Sequence, residues 1–155
     1  MGATFVNPDL LENLEGSDPV DTGQCVALVK DLLKKQYPDA PKDHFVTSYW
    51  KAGTKVMAYG SADKIKKGTP IATFDERGVY PNCGHGNHAA IFLEFSGTGF
   101  KILEQNAGPK ISSRLIRNKK SNDGDFPACS EMKELGKDVP SNDADWYYVI
   151  EIDGI

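Results

Sequence analysis

Apolar positions 25, 28, 29, 32 and 33 within residues 21–36 fall on one stripe of a 3.6-residue period, which predicts an amphipathic helix. Asp21 or Thr22 can cap its start, three lysines crowd its end, and Pro38 stops it. That span sets Cys25 in the first turn. A short helical turn is predicted over residues 10–14. Residues 44–59 mix Phe, Val, Tyr, Trp and Met without a clean period and read as helical, interrupted at Gly53. A turn at 66–69 leads into a short strand over 70–74, and a Gly- and Pro-bearing loop over 75–87 carries Cys83 and His85. Two short apolar runs, 88–95 and 100–106, flank the turn Ser96-Gly97-Thr98-Gly99 and predict a β-hairpin. Residues 108–144 are polar and read as one long loop holding Cys129, and 146–152 form a closing strand. One main helix followed by mostly antiparallel strands is an α+β layout, and residues 1–155 read as a single domain.

Composition narrows the function. Charged residues at 26% and aromatics at 10% fit a folded chain rather than a disordered one. A net charge of −4 argues against a general nucleic-acid or anionic-membrane binder, because phosphate neutralisation needs a positive face. The longest apolar runs fall far short of the roughly 20 residues of a membrane span. The N-terminal stretch lacks the basic and long apolar regions of a signal peptide.

Candidate chemistry centres on Cys25. In the first turn of a helix, free backbone N–H groups and the positive dipole end favour the thiolate, the nucleophilic form of cysteine. Taken alone, such a cysteine is more often a small buried hydrophobe. Of the three histidines, His44 sits in an aromatic-rich segment and His85 in a Gly-rich loop, whereas His88 begins a strand that can fix its ring. Glu104 and Asn106, two apart on the next strand, share a face and can accept a proton from that ring. Register decides the matter. A two- or four-residue loop pairs Phe95 with Phe100 and puts His88 and Glu104 on opposite faces. A five-residue loop, or a bulge, brings them to the same face.

Three segments together resemble the CHAP amidase domain of the NlpC/P60 papain-like superfamily: Gly23-Gln24-Cys25 opening a helix, Gly86-Asn87-His88-Ala89-Ala90-Ile91-Phe92, and Ile102-Leu103-Glu104-Gln105-Asn106. The strand Lys-Gly-Thr-Pro-Ile-Ala-Thr-Phe over 67–74 fits the family's order. The resemblance implies a papain-like α+β fold with the cysteine helix packed on an antiparallel sheet. It implies Cys25 as nucleophile, His88 as base, Glu104 and Asn106 as orienting groups, and an oxyanion hole at the backbone of Cys25 with Gln24. The activity implied is hydrolysis of an amide in bacterial cell-wall peptides, with no cofactor or metal. Small size and the absence of a signal peptide or wall-binding module further resemble the amidase effectors of type VI secretion systems. That likeness implies synthesis in the bacterial cytoplasm, export to the periplasm of a target cell, a cognate immunity protein and a monomeric enzyme.

If Cys25 stays free, Cys83 and Cys129 remain as a pair. A disulfide between them would close a 45-residue loop and requires an oxidising compartment; two separate reduced thiols are the alternative. Cys83, His85 and His88 also lie within six residues, so a zinc-stabilised binding module stands as a rival reading, as does a catalytically inactive peptide binder.

Overall fold

A computed structural model describes residues 2–61 and 63–155; Met1, where the reading of the N-terminal stretch begins, lies outside them. In chain order the elements are β1 (Gly2–Ala3), α1 (Cys25–Gln36), β2 (Trp50–Lys55), β3 (Pro70–Thr73), β4 (Ala89–Ser96), β5 (Gly99–Glu104), β6 (Ser112–Ile116), α2 (Met132–Leu135) and β7 (Tyr147–Ile152). All strand pairs are antiparallel. β7 carries β2 along one side and β3 along the other, and β4, β5 and β6 follow outward from β3. β1 pairs with the far end of β7, Gly2 opposite Ile152.

The sheet is covered on both faces, which explains why β3 and the first half of β4 are buried at successive positions rather than at alternate ones. Ala89, Ile91 and Leu103 face a cluster that includes Leu28, Val29, Leu32 and Leu33 of α1. Ala90, Phe92, Phe100 and Ile102 face a second cluster with Val56, Ile65, Ala144 and Tyr147. The apolar stripe of α1 therefore meets the sheet as its period requires, with α1 packed chiefly on β4.

The hairpin between β4 and β5 combines two of the registers open to it. Its turn is the two-residue one, Ser96 opposite Gly99 and Phe95 opposite Phe100. A bulge then intervenes: Phe92 pairs with Ile102 and Glu94 with Lys101, leaving Leu93 as the extra residue. Beyond it Ile91 pairs with Leu103, the phase in which His88 and Glu104 lie on one face.

Three expectations need correction. Residues 44–59 are not a helix; 3-10 turns at Lys42–Phe45 and Thr47–Tyr49 lead into β2, because pairing of Trp50–Ala52 with β7 outweighs a pattern that had no helical stripe. The stretch 108–144 is not a plain loop, since it contains β6, whose single buried face disguises it as polar sequence, and α2 with several 3-10 turns. The start of α1 is capped by neither Asp21 nor Thr22: the N-cap is Gln24, and Asp21 and Gly23 take left-handed turns before it.

Much of the polar stretch is held by one carboxylate. Asp143, 1% exposed, accepts from the backbone N–H groups of Lys119, Ser121 and Asp145 and from the Ser121 hydroxyl. A disulfide joins Cys83 to Cys129, with Cα atoms 5.2 Å apart, and clips the loop before β4 to the segment leading into α2. Gly86 in that loop, at φ +90°, lies where a Cβ would strike the Met132 side chain, so the loop packs directly on α2. Replacing both Cys83 and Cys129 with Ser is expected to lower the unfolding free energy by about 3–4 kcal/mol, the scale for a loop of this length. Denaturant unfolding checks this; an unchanged midpoint would show that the crosslink closes a loop already held by its other contacts.

Candidate active site

Cys25 is the first residue of α1, so its backbone N–H belongs to the unpaired group at the helix start. The turn that delivers it is anchored from β5's end by Gln105, a fully buried side chain. Its amide oxygen accepts from the Val20 N–H at 2.9 Å, and its amide nitrogen donates to the carbonyls of Val20 at 3.2 Å and Gln24 at 2.7 Å. Gln105 thus ties the helix start that bears Cys25 to the strand that carries Glu104.

His88 precedes β4 and is nearly buried. Its backbone N–H donates to the Thr73 hydroxyl at 3.0 Å, and its carbonyl accepts from the Thr73 N–H at 3.0 Å, so β3 fixes its position. Its Nε2 meets Glu104 Oε1 at 2.7 Å, which leaves Nδ1 for Cys25. Glu104 is 1% exposed and also accepts from Arg114, from Nε to Oε2 at 2.8 Å and from Nη2 to Oε1 at 3.1 Å. On the other side of the sulfur, the Tyr80 hydroxyl lies 3.8 Å from Sγ and accepts from Asn87 Nδ2 at 2.7 Å.

These contacts set the charges. Burial pushes the Cys25 thiol up, but the His88 imidazole, the Ala89 N–H and the Tyr80 hydroxyl outweigh it and bring the thiol below its ordinary value. Burial lowers His88, yet Cys25 and Glu104 together raise it to about 9. Burial raises Glu104, while His88 and Arg114 more than offset that and hold it ionised. Burial also keeps Tyr80 neutral far into alkali. The arrangement therefore favours a thiolate–imidazolium pair backed by a buried carboxylate, an order of groups suited to nucleophilic attack on a carbonyl.

The sequence-predicted residues fare differently. Cys25, His88 and Glu104 come together. Asn106 stands past the end of β5 with φ +68°, exposed, and lines the cleft without a hydrogen bond to His88. Gln24 lines the same cleft, its N–H directed to the Thr22 hydroxyl at 3.5 Å. Cys83 is spent in the disulfide and His88 on Glu104, so the proposed zinc set is not assembled, and no group of three metal-ligating side chains occurs among the described residues. Arg114, Tyr80, Asn87 and Gln105 escaped sequence reasoning; only Gln105, between the two paired polar positions of its strand, carried a usable signal there. The cleft itself encloses about 480 Å³ and is walled by the 82–87 loop and the 136–142 segment.

Comparison with known proteins gives the class first. Residues 4–126 match the family described as domesticated amidase effector 2, and the chain belongs to that family of amidases. More particularly, it is 32% identical over 132 residues to the type VI secretion amidase effector 2 protein of Salmonella typhi, covering 83% of this chain and 84% of that one. The solved structure of a type 6 secretion amidase effector 2 (Tae2) superimposes with a TM-score of 0.67 at 27% identity, covering 98% of this chain and 96% of the other.

Two outcomes follow from the geometry. Gln105→Leu strips three buried hydrogen bonds from the turn before α1, so a loss of about 2–3 kcal/mol in unfolding free energy is expected, with slower alkylation of Cys25 as the helix start loosens. Unchanged alkylation would mean that Gln105 does not position the sulfur. The second concerns pH. A proton held on folded His88 to about 9, against 6.5 ordinarily, contributes stability that is complete below about pH 6.5 and disappears as pH rises through about 9. The stability difference between the native chain and His88→Gln is expected to shrink across that interval in a series of denaturant titrations.

Proposed function

We propose that the chain is a papain-like cysteine amidase of the NlpC/P60, CHAP-type kind, acting as one domain over residues 1–155 and hydrolysing an amide bond in peptidoglycan peptides. The observation that carries this reading is the Cys25–His88–Glu104 constellation in a cleft, on a chain whose family and relatives are amidase effectors. Cys25 Sγ attacks the scissile carbonyl carbon, forming a C–S bond, and His88 passes its Nδ1 proton to the amine as the C–N bond breaks. Water, losing a proton to His88, then attacks the thioester, and the C–S bond breaks to release the acid and the thiolate. Glu104 holds the imidazole's orientation and charge. The Cys25 N–H faces the developing oxyanion, and Gln24 and Asn106 meet the substrate from the cleft wall.

Membership of an amidase effector family supports a biological setting for this activity. The enzyme is an antibacterial effector, made in the bacterial cytoplasm, delivered by a type VI secretion system and active in the target cell's periplasm, where a cognate immunity protein restrains it. It works as a monomer. The disulfide between Cys83 and Cys129 suits an oxidising compartment of that kind.

Purified peptidoglycan tests the proposal. Cys25→Ala is expected to lower the release of muropeptide fragments by at least about 10⁴-fold while leaving unfolding little changed, since nucleophile removal abolishes the covalent route. Mass analysis of the fragments identifies the bond cut. Undiminished digestion by that variant would overturn the reading.

A further inference from the structure

Glu104 serves two cations, and the consequence reaches the pH at which the site works. Its Oε1 takes His88 Nε2 at 2.7 Å and Arg114 Nη2 at 3.1 Å, while Oε2 takes Arg114 Nε at 2.8 Å. The remaining guanidinium nitrogen, Nη1, donates to Asn142 Oδ1 at 2.8 Å, in a segment whose neighbour Ser141 donates its N–H to the Gly86 carbonyl across the cleft wall at 3.0 Å. Arg114 is thus fixed at both ends, on a carboxylate that is 1% exposed. We propose that Arg114 is a positioning residue that divides the negative charge of Glu104 between itself and His88 and thereby sets the pH window of the Cys25–His88 pair. The inference rests on the cysteine-amidase reading of the same site.

The surrounding groups leave this role to Arg114. From α1 the cluster is faced by Cys25, from the loop before β4 by Tyr80 and from β7 by Tyr147, whose own neighbour is Asp143 in the turn before β7. Tyr147 is buried, neutral into alkali, and donates its hydroxyl to the Ser141 carbonyl at 2.6 Å. The Asp143 carboxylate is occupied by Ser121 and by backbone N–H groups. Of the two cations on Glu104, His88 titrates, and Arg114 carries the positive charge that stays fixed through the working range.

Removing a cation raises the pKa of every neighbour it acts on. Without Arg114, Glu104 is easier to protonate, His88 faces an undivided carboxylate and holds its proton more tightly, and the Cys25 thiolate loses a positive background. All three move the same way, so the whole window slides towards alkali rather than narrowing.

The test needs no cell-wall substrate. Cys25 is the free cysteine, so iodoacetamide alkylation followed across pH reads its thiolate, and NMR of labelled histidine reads His88. Arg114→Gln is expected to shift both midpoints to higher pH; a shift of one unit slows alkylation about tenfold at a fixed pH on the acid limb. Arg114→Lys, which keeps the charge, is expected to restore the midpoints even where the rate stays reduced. Asn142→Ala adds no charge and removes the guanidinium's second acceptor, so Arg114 is committed to Glu104 and both midpoints are expected to shift to lower pH, the opposite direction. It also decides the matter should Arg114→Gln not fold. A uniform loss of rate with unmoved midpoints in these variants would overturn the inference and leave Arg114 a purely structural side chain. An ordinary, unshifted Cys25 midpoint in the native chain would instead overturn the cysteine-amidase reading, whatever Arg114 does.

Discussion

The phase of the β4–β5 ladder governs this molecule. A sheet has a side-chain period of two, so a one-residue slip moves every side chain to the opposite face. The tight turn at Gly97-Thr98 sets one phase, and the extra residue Leu93 converts it to the other. Near the turn Phe95 pairs with Phe100, and both rings pack on Phe92; beyond the bulge His88 and Glu104 meet instead. A hairpin without the bulge would still pair its phenylalanines, yet it would point the histidine away from its carboxylate. One inserted residue lets a single hairpin serve both packing and chemistry.

Placing a carboxylate at that meeting point is costly, since an unpaired charge in a protein interior is strongly disfavoured. The fold answers with partners from several elements: His88 ahead of β4, Arg114 on β6, and through Arg114 the Asn142 segment. The polar stretch after residue 108 is therefore part of the site's electrostatics, although its chain runs far from Cys25 in sequence. Gln105 performs the equivalent mechanical task on the opposite face of the strand end, satisfying backbone groups in the turn that presents the cysteine. Glu104, the last residue of β5, and its neighbour Gln105 thus hold His88 and the turn before Cys25 respectively.

Legibility from sequence followed the physics of each segment. α1 was readable because its stripe, its lysine-rich end and Pro38 all agree. The hairpin was readable, but its bulge was not, because Leu93 looks like any other apolar strand residue. Residues 44–59 misled because aromatic and β-branched side chains without a period say little until a partner strand is known, and that partner is β7, about a hundred residues later. β6 hid because Ser112, Ser113 and Arg114 are polar, and Arg114 is polar for the sake of a carboxylate that sequence cannot bring near it. Of the site, Cys25, His88 and Glu104 were singled out by residue type together with the family resemblance, while the register that brings the last two to one face stayed open. The groups that hold them could not be read, since each acts across the sheet rather than along the chain.

β7 lies between β2 and β3 and contributes Ile150 and Ile152 to the cluster on which α1 rests. The Thr4 N–H and hydroxyl both reach the Ile150 carbonyl, across 146 residues of sequence. Contacts this distant in sequence form slowly and late, after loop closure has been met. On the ribosome the helix bearing Cys25 emerges early, but the sheet beneath it cannot be completed until synthesis has passed Ile152. A chain halted short of that point has Cys25 at the head of a helix and no finished sheet for that helix to rest on.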